Sequence, residues 1–455
     1  MMMLMSNITE KEIAKIWQYQ LLDIERLVTE EGEPLQIIYP GWLNDDRGPD
    51  FKDAVILGGR GLIRGDIEVH VRSSSWWEHG HHLDALYNNV ILHVVMWHGA
   101  GATTELQNGG QAPTLALSKY IRIPLSQWSE MDSMAGARRP CRCAAGGVNN
   151  EALAGFLDGA GEERFHIKAA GFQKDIVNTE DSQVLYQGVM GALGYSRNKL
   201  PFLELARRLP LRVLELAGRV PLRLPESRGR DKAPDTEWLL SRQAMLLGTA
   251  GLLAGQPQDG RGNQPDKEWR DRLVRLWMSL PHPDVMPPGA WHLLKVRPNN
   301  SPVFRLVAMS YLLHRYREKG FLEGLVGLVR EAHLSRNVYR SLEAGLVVNA
   351  DGQTLLGRGR VGDIIVNVLL PFILAWSPAA AEPGLGNKAL ELYRLYPRLT
   401  VNSVERHMAK TLGLDSSLVN SAGRQQGLIH IYKNVCSLGG CERCPFTKTT
   451  QCDAI

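Results

Sequence analysis

The amino-acid sequence predicts an α/β N-terminal domain followed by a mostly α-helical domain, and three observations support this prediction. Short runs rich in β-branched and alternating apolar residues occur up to about residue 125. Beyond residue 150, apolar residues recur with helical spacing through most of the chain. Between these parts, residues 138–150 are rich in Arg, Gly and Cys without periodicity, which is typical of a linker.

The length of 455 residues exceeds one ordinary hydrophobic core and predicts two or three domains. We expect the α/β domain over residues 1–137, the helical domain over residues 138–430, and a cysteine-rich metal-binding segment over residues 431–455. The composition, with 44% hydrophobic and 22% charged residues, is typical of a soluble globular protein. The formal charge of +4 permits a polyanionic partner without requiring one.

The sequence favours a cytoplasmic protein that does not contact a membrane. Residues 1–5 are apolar but lack the basic start and the cleavage site of a secretory signal. The most apolar run, residues 364–376, is interrupted by Asn367 and Pro371. We therefore expect this run to be a buried helix and not a membrane span.

The α/β domain is expected to begin with an amphipathic helix. Thr9 and Glu12 have the spacing of a capping box, and the apolar residues that follow are helically spaced. Glu12 or Glu25 could reach a metal site from this part of the chain, although solvated surface acids are the alternative. Five strands are predicted after the helix, over residues 35–39, 51–57, 64–72, 90–97 and 113–117.

The helical domain is expected to contain at least eight helices, because apolar spacing and capping residues recur along it. These helices are predicted over residues 151–177, 181–193, 201–209, 237–253, 269–278, 302–316, 362–376 and 404–412.

The strongest candidate for chemistry in the first domain is a pair of acids on neighbouring strands. Asp50 precedes one predicted strand, Glu68 lies on the next, and a glycine-rich hairpin joins the two strands. His70 follows Glu68 by two residues, so both side chains face the same side of their strand. Two carboxylates and an imidazole on adjacent strands are suitable ligands for a divalent cation.

This pattern resembles the PD-(D/E)XK nuclease superfamily. Pro49 and Asp50 match its Pro–Asp, and Glu68 matches its second acid, whereas His70 stands where the superfamily has Lys. The resemblance implies a restriction-endonuclease-like fold, Mg²⁺ or Mn²⁺ held by Asp50 and Glu68, and cleavage of nucleic acid. Because His is not a fixed cation as Lys is, His70 is expected to be a general base or a third metal ligand.

A histidine-rich segment follows the second acid strand. His79, His81 and His82 lie within four residues of one another, and His93 lies on the following strand. Histidine is the commonest metal ligand in proteins, so these side chains could join the acids, form a second site or replace the missing Lys. The alternative is a polar loop that covers the site entrance. The adjacent tryptophans Trp76 and Trp77 could stack on a base or be buried in the core.

Four cysteines form a compact group at the end of the chain: Cys436, Cys441, Cys444 and Cys452. Four thiolates at this spacing are enough for one 4Fe–4S cluster, with Zn²⁺ as the alternative. The segment resembles the C-terminal iron–sulfur loop of the endonuclease III and adenine glycosylase family. The spacing differs from that of the family, and no matching catalytic residues occur upstream, so glycosylase activity is not expected. Cys141 and Cys143 are expected to be free thiols.

Nearly the whole chain also resembles a bacterial family known as domain of unknown function 2851. The resemblance rests on residues 48–51, 65–70, 89–95 and 441–445. It implies no established activity.

Two basic segments of the helical domain have two interpretations each. Residues 295–302 contain Lys, Arg and Asn before a helix, and residues 358–362 contain Arg358 and Arg360. Each could bind phosphate through arginine and helix-terminal amides. Each could also be an ordinary turn or helix cap.

The sequence therefore predicts a metal-dependent endo- or exonuclease acting on DNA or RNA, with DNA favoured. Asp50, Glu68 and His70 are its expected catalytic residues, and His79, His81 and His82 are further candidate metal ligands. The alternative is a non-catalytic nucleic-acid-binding or protein-binding module with a degenerate nuclease fold. A third interpretation is a hydrolase for small phosphorylated substrates.

Overall fold

The structure is a computed structural model, and it describes most of the chain. The described residues are 8–24, 26–44, 48–59, 61–99, 101–121, 150–195, 198–216, 234–253, 267–293, 300–334, 337–350, 352–412, 414–415, 417–436 and 444. They form two compact units. The first contains the described parts of Met1–Phe156, Asn402–Leu418 and Leu428–Ile455, and the second those of Leu157–Val401 and Val419–Gly427.

The first unit is built on a mixed six-stranded sheet. Its strands are β1 (Gln36–Tyr39), β2 (Trp42–Leu43), β3 (Phe51–Gly58), β4 (Gly61–Arg72), β5 (Val90–Trp97) and β8 (Thr114–Ala116). The order is β1-β3-β4-β5-β8, with β2 also paired to β3. Strands β3 and β4 are antiparallel, whereas β5 runs parallel to β4 and to β8. A separate antiparallel pair joins β6 (Thr104–Glu105) to β7 (Gln111–Ala112).

Helix α1 (Glu10–Tyr19) packs its apolar face against β4. The predicted capping box is present, because the Glu12 carboxylate accepts hydrogen bonds from the Thr9 backbone N–H and hydroxyl. Ile13, Ile16 and Trp17 are fully buried in the core beneath the sheet. Burial of side chains this large contributes roughly 2 kcal/mol each, which anchors the helix to the sheet. The short helix α2 (Ser75–Glu78) follows β4.

The second unit is mostly helical. Its described helices begin with α3 (Asn150–Asn178, whose first residues belong to the first unit), α4 (Asp181–Leu193), α5 (Lys199–Arg208), α6 (Leu211–Leu216), α7 (Pro234–Thr249), α8 (Lys267–Ser279), α9 (Pro302–Arg315), α10 (Phe321–Glu331) and α11 (Val338–Leu346). A two-stranded hairpin, β9 (Val348–Ala350) with β10 (Gln353–Leu356), precedes α12 (Arg358–Trp376) and α13 (Pro383–Leu395). Helix α14 (Ser403–Leu412) belongs to the first unit, and the unit boundary falls within α15 (Ala422–Asn434).

Helix α12 contains a π-helical stretch at Ile365–Leu369. Pro371 has no backbone N–H to donate to the preceding turn, so a local change of hydrogen-bond spacing is expected there. Asn367 occupies the widened turn, where its Nδ2 donates to the Asp363 carbonyl at 3.0 Å and its Oδ1 accepts from Lys168 Nζ. Among the described residues, α12 is the one helix long and apolar enough to cross a membrane, and 72% of its apolar window is buried. Helices buried in protein cores can have the same length and apolar composition, so these two properties do not by themselves identify a membrane span.

The structure confirms an N-terminal mixed sheet followed by a mostly helical part. All five predicted strands are present, and each of the eight predicted helices has a counterpart whose ends differ by a few residues. Helices α6, α10, α11 and α13 and the β9–β10 hairpin were not predicted. Helix α10 has a strong apolar face, but Gly324 and Gly327 interrupt its sequence. Gly324 is needed because a Cβ there would lie 2.1 Å from the Tyr316 ring.

Candidate metal centre

Asp50 and Glu68 face each other where β3 meets β4. Phe51 pairs with Ile67 in the antiparallel register, which places the preceding Asp50 beside Glu68. The Asp50 N–H donates to Glu68 Oε2 at 3.0 Å, and the Val69 N–H donates to Asp50 Oδ2 at 3.1 Å. Each carboxylate therefore accepts a backbone hydrogen bond from the opposite strand, which holds the pair in place.

His70 connects the acid pair to two further histidines. Its Nε2 lies 3.6 Å from Glu68 Oε1 and 3.1 Å from His79 Nδ1. Its Nδ1 lies 2.8 Å from His93 Nε2 on the parallel strand β5. The His70 and His93 side chains are both buried. One ring nitrogen of His70 thus faces the acids, while the other is held by His93.

A hydrogen-bonded chain behind His70 continues to two threonines. His93 Nδ1 lies 2.7 Å from Thr104 Oγ1, which lies 3.3 Å from Thr114 Oγ1. If His93 donates from Nδ1 to Thr104, its Nε2 accepts a hydrogen bond from His70 Nδ1. His70 Nε2 is then left with a lone pair facing the acids, which is the form of imidazole that binds a metal.

His79 and His81 reach the same place from the turn after α2. Gly80 between them has φ +71°, a left-handed conformation that residues with side chains rarely adopt. The His81 ring stacks on Tyr87 with centroids 3.9 Å apart and lies 5.3 Å from the buried Trp76 ring. These two aromatic side chains form an apolar wall that orients His81 toward Glu68.

Three histidines therefore form a constellation that could hold a metal ion. One ligand nitrogen from each of His70, His79 and His81 lies within 4.8 Å of the other two. His81 Nε2 is buried, lies 3.3 Å from Glu68 Oε1, and makes no hydrogen bond within the described residues. His79 is exposed, so an ion could enter from solvent.

Burial shifts the protonation of every buried group in the site toward its neutral form. It raises the pKa of the Asp50 carboxyl to about 7, and the adjacent Glu68 charge adds to the shift. It raises the pKa of Glu68 to about 8. It lowers the pKa of His70 to about 2 and also lowers the pKa of His81. Burial therefore favours the neutral imidazole of His70 and His81, the form that binds a metal, and a bound cation would favour ionised carboxylates.

Glu10, in the first turn of α1, is a further acid at this site that the sequence reasoning missed. Its charge raises the pKa of both Asp50 and Glu68. The sequence does show that Glu10 lies two residues before Glu12, and therefore on a different face of the helix from the residue that forms the capping box. Glu12 itself serves the capping box, and Glu25 lies outside the described residues. Thr104 was also missed, because no local pattern marks a threonine that orients a histidine.

His82 is not part of the three-histidine constellation. Its ring lies 4.4 Å from the ring of Trp77, which is partly exposed, whereas Trp76 is fully buried. The 3₁₀ turn His81–Leu83 accounts for this difference, because consecutive side chains in such a turn point in different directions.

A comparison with protein-family models matches residues 10–398 to the family described as "Protein of unknown function (DUF2851)". The chain belongs to this family. The matched residues include the acid pair and all the histidines of the constellation, whereas the four C-terminal cysteines lie beyond them. The comparisons with curated proteins and with solved structures each found no match.

Two of the four C-terminal cysteines lie within the described residues. Cys436 follows α15 and is half-buried, and Cys444 is buried. Cys441, Cys452, Cys141 and Cys143 lie outside the described residues. Cys436 neighbours two tyrosines of the first unit, Tyr39 and Tyr432, whose hydroxyls hydrogen-bond to each other. Burial raises the pKa of Tyr432 to about 12, and Cys436 adds to the shift.

Proposed function

We propose that the first unit is a metal-dependent nuclease that hydrolyses phosphodiester bonds in DNA or RNA, with DNA favoured. The observation that carries the proposal is the convergence of His70, His79 and His81 within 4.8 Å, beside the hydrogen-bonded acids Asp50 and Glu68. Neutral imidazoles and buried carboxylates are together a donor set for a divalent cation.

The residues present fit a bound cation. His81 Nε2 has no hydrogen bond within the described residues although it faces Glu68 Oε1 at 3.3 Å. His70 Nε2 and His79 Nδ1 face each other at 3.1 Å, a gap that a proton or a coordinated ion would bridge. Two neighbouring buried acids without a cation are costly to ionise, and a cation removes that cost.

The donor set favours Mn²⁺ over Mg²⁺. Mg²⁺ prefers oxygen ligands and retains its waters, whereas Mn²⁺ and Zn²⁺ accept imidazole nitrogen readily. Of the two ions that the resemblance to nucleases implies, we therefore propose Mn²⁺.

The cation would supply Lewis-acid polarisation of a phosphoryl oxygen. The chain's own residues hold and orient it. Glu68 Oε1, His70 Nε2 and His81 Nε2 face one another, and Asp50 is fixed by the Val69 N–H. If His93 donates from Nδ1 to Thr104, the proton of His70 stays on Nδ1 and its Nε2 is left to bind the cation. Of the two roles considered for His70, we propose the metal ligand, because a base whose pKa is about 2 accepts no proton near neutral pH.

The order of elements also supports a restriction-endonuclease-like fold for this unit. A helix, a strand, the Asp50 strand and the Glu68 strand follow one another, as in the PD-(D/E)XK superfamily. His70 departs from that superfamily because its side chain is neutral where the superfamily has a cation. The departure is consistent with a histidine-rich metal centre that replaces the positive charge of Lys.

The test is cleavage of single-stranded and double-stranded DNA and of RNA by the full chain with Mn²⁺, Mg²⁺ or Zn²⁺. We expect cleavage that requires the metal, is strongest with Mn²⁺ and is abolished by EDTA. Binding of nucleic acid without cleavage under all three metals would favour the non-catalytic binding module.

Removal of one constellation histidine is expected to weaken metal binding. His79→Ala or His81→Ala should weaken Mn²⁺ binding at least about 100-fold, because each deletes a direct ligand. His93→Gln should weaken it about 10-fold to 100-fold, because it removes only the bond that orients His70. His82→Ala is the matched control and should leave affinity unchanged. Isothermal titration measures all four, and equal affinities for the His81 and His82 variants would contradict the assignment.

The C-terminal cysteines Cys436, Cys441, Cys444 and Cys452 are proposed to hold a 4Fe–4S cluster, with Zn²⁺ as the alternative. Four thiolates in one short segment satisfy the ligand requirement of either group. Protein purified without oxygen should be brown, with broad absorption near ~400 nm, whereas Zn²⁺ is colourless. A colourless protein with one equivalent of zinc by elemental analysis would exclude the cluster.

A further inference from the structure

Two buried arginines meet in the second unit, which contains no residue of the proposed metal centre. Arg305 lies in the first turns of α9, and Arg360 lies in the first turn of α12. Arg305 is 4% exposed, and the Arg360 side chain is 10% exposed. Arg360 belongs to the basic segment 358–362, whose sequence allowed phosphate binding, and Arg305 lies three residues after the end of the other such segment, 295–302.

Both guanidinium groups are held in place by their terminal nitrogens. Arg305 Nη1 donates to the Leu355 carbonyl at 3.0 Å, and its Nη2 donates to Asn300 Oδ1 at 2.7 Å. These partners are neutral, so they orient the group without compensating its charge. Arg305 Nε is buried and has no hydrogen-bond acceptor among the described residues.

Arg360 is held in the same way. Its Nη1 lies 3.2 Å from Asp363 Oδ2 and 3.4 Å from the Ala192 carbonyl. Its Nε is also buried without an acceptor in the described part of the chain. Two oriented, buried N–H donors without acceptors in one cluster are unusual, because such groups are almost always paired.

The cluster carries more positive than negative charge. Tyr195 brings the two cations together, since its ring centroid lies 3.0 Å from Arg360 Cζ and 5.9 Å from Arg305 Cζ. Asp363 is the one carboxylate that pairs with either guanidinium among the described residues. Burial lowers the pKa of Arg305, Tyr195 raises it through its hydrogen bond and electrostatic interaction, and the Arg360 charge lowers it. An additional anion would relieve this repulsion.

The start of α9 adds uncapped backbone donors to the same place. Ser301 is the N-cap residue, but its side chain makes no capping hydrogen bond. Pro302 at the first helical position has no N–H, and the Arg305 N–H donates to the Ser301 carbonyl at 3.1 Å. The amides that lack a Ser301 cap are therefore those of Val303 and Phe304, close in sequence to Asn300, which binds Arg305. Helix N-termini and arginines together are a common way to bind a phosphoryl group.

We propose that Arg305 and Arg360 form a binding site for a phosphoryl group, either free phosphate or the phosphate of a small monoester. The planar guanidinium fork matches the geometry of phosphate oxygens. Because both arginines are almost fully buried, the occupant is a single phosphoryl group and not a polynucleotide. The site does not depend on the proposed nuclease activity.

The test is isothermal titration of the full chain with inorganic phosphate in EDTA, so that no metal-bound phosphate contributes. We expect saturable binding that chloride at equal ionic strength does not reproduce, together with a rise in Tm. Arg360→Gln should weaken binding at least about tenfold, because one charged contact is lost. A nucleoside monophosphate that binds more tightly than phosphate would identify a monoester as the occupant, and equal affinity would identify free phosphate.

The matched control is Arg242→Gln. Arg242 is also buried in the second unit, and its Nη2 has no partner among the residues that the structure describes, but it stacks on Trp238 outside this cluster. It should keep full phosphate affinity. The proposal is overturned if the unmodified protein binds no phosphate, a result that needs no variant to fold. It is also overturned if Arg360→Gln and Arg242→Gln bind phosphate equally.

Discussion

Replacing Glu68 by Gln is expected to abolish the proposed metal-dependent cleavage while the protein keeps its fold. Glutamine has the same shape, and its amide oxygen can still accept the hydrogen bond from the Asp50 N–H. It removes the negative charge that a divalent cation requires beside His70 and His81. The cleavage rate should fall at least about 1,000-fold, which corresponds to about 4 kcal/mol of activation free energy. Asp50→Asn should have a similar effect.

The matched control for this experiment is Glu105→Gln. Glu105 is an exposed acid of the same unit, and it follows the buried Thr104 on β6, so the two side chains point to opposite faces of that strand. Cleavage by this variant should equal that of the unmodified protein, and circular dichroism should be unchanged for all three variants. Cleavage that survives Glu68→Gln at the original rate would remove Glu68 from the site and would point to a contaminating nuclease.

Replacing Gly161 by Ala is expected to destabilise the second unit strongly. Helices α3 and α15 approach so closely that a Cβ on Gly161 would lie 2.2 Å from the Gly423 carbonyl oxygen. The two helices also approach closely at a second point, where a Cβ on Gly427 of α15 would lie 2.1 Å from the Leu157 carbonyl oxygen of α3. The obstacle is backbone in both cases and cannot rotate away. We expect a loss of about 3 kcal/mol in the free energy of unfolding.

The control is Gly159→Ala, in the same helix and two residues earlier. A Cβ there would meet no heavy atom within 4 Å. Alanine is the better helix former, so this variant should gain about 0.5–1 kcal/mol. Urea unfolding followed by circular dichroism measures both variants. If Gly161→Ala were as stable as Gly159→Ala, the two helices could not be in backbone contact.

Much of the fold could be predicted because its elements carry strong local periodicity. Strand β5 is a strongly apolar run rich in β-branched residues, and α1 combines a capping box with an apolar face. The missed helices have weaker local signals, and contacts distant in sequence stabilise them. In α11, for example, Gly345 packs so close to Leu328 that a Cβ would lie 2.4 Å from it.

The centre of the candidate site could also be anticipated, but its composition could not. A period of two along β4 was enough to place Glu68 and His70 on one side, and the hairpin placed Asp50 nearby. No local rule distinguishes His81 from His82, because the 3₁₀ turn and the Tyr87 stacking decide which ring faces Glu68. The contribution of Glu10 likewise depends on how α1 packs on the sheet.

The sequence by itself determined the strands, most of the helices and the residue types that a metal centre needs. These features depend on periodicity and side-chain chemistry among residues that are close together in the sequence. Only the tertiary structure decided which donors converge. It joined His93 to Thr104 across two strands, brought Tyr39 to Tyr432 across 393 residues, and placed Arg305 with Arg360. Such contacts depend on packing between elements distant in sequence, which no local pattern records.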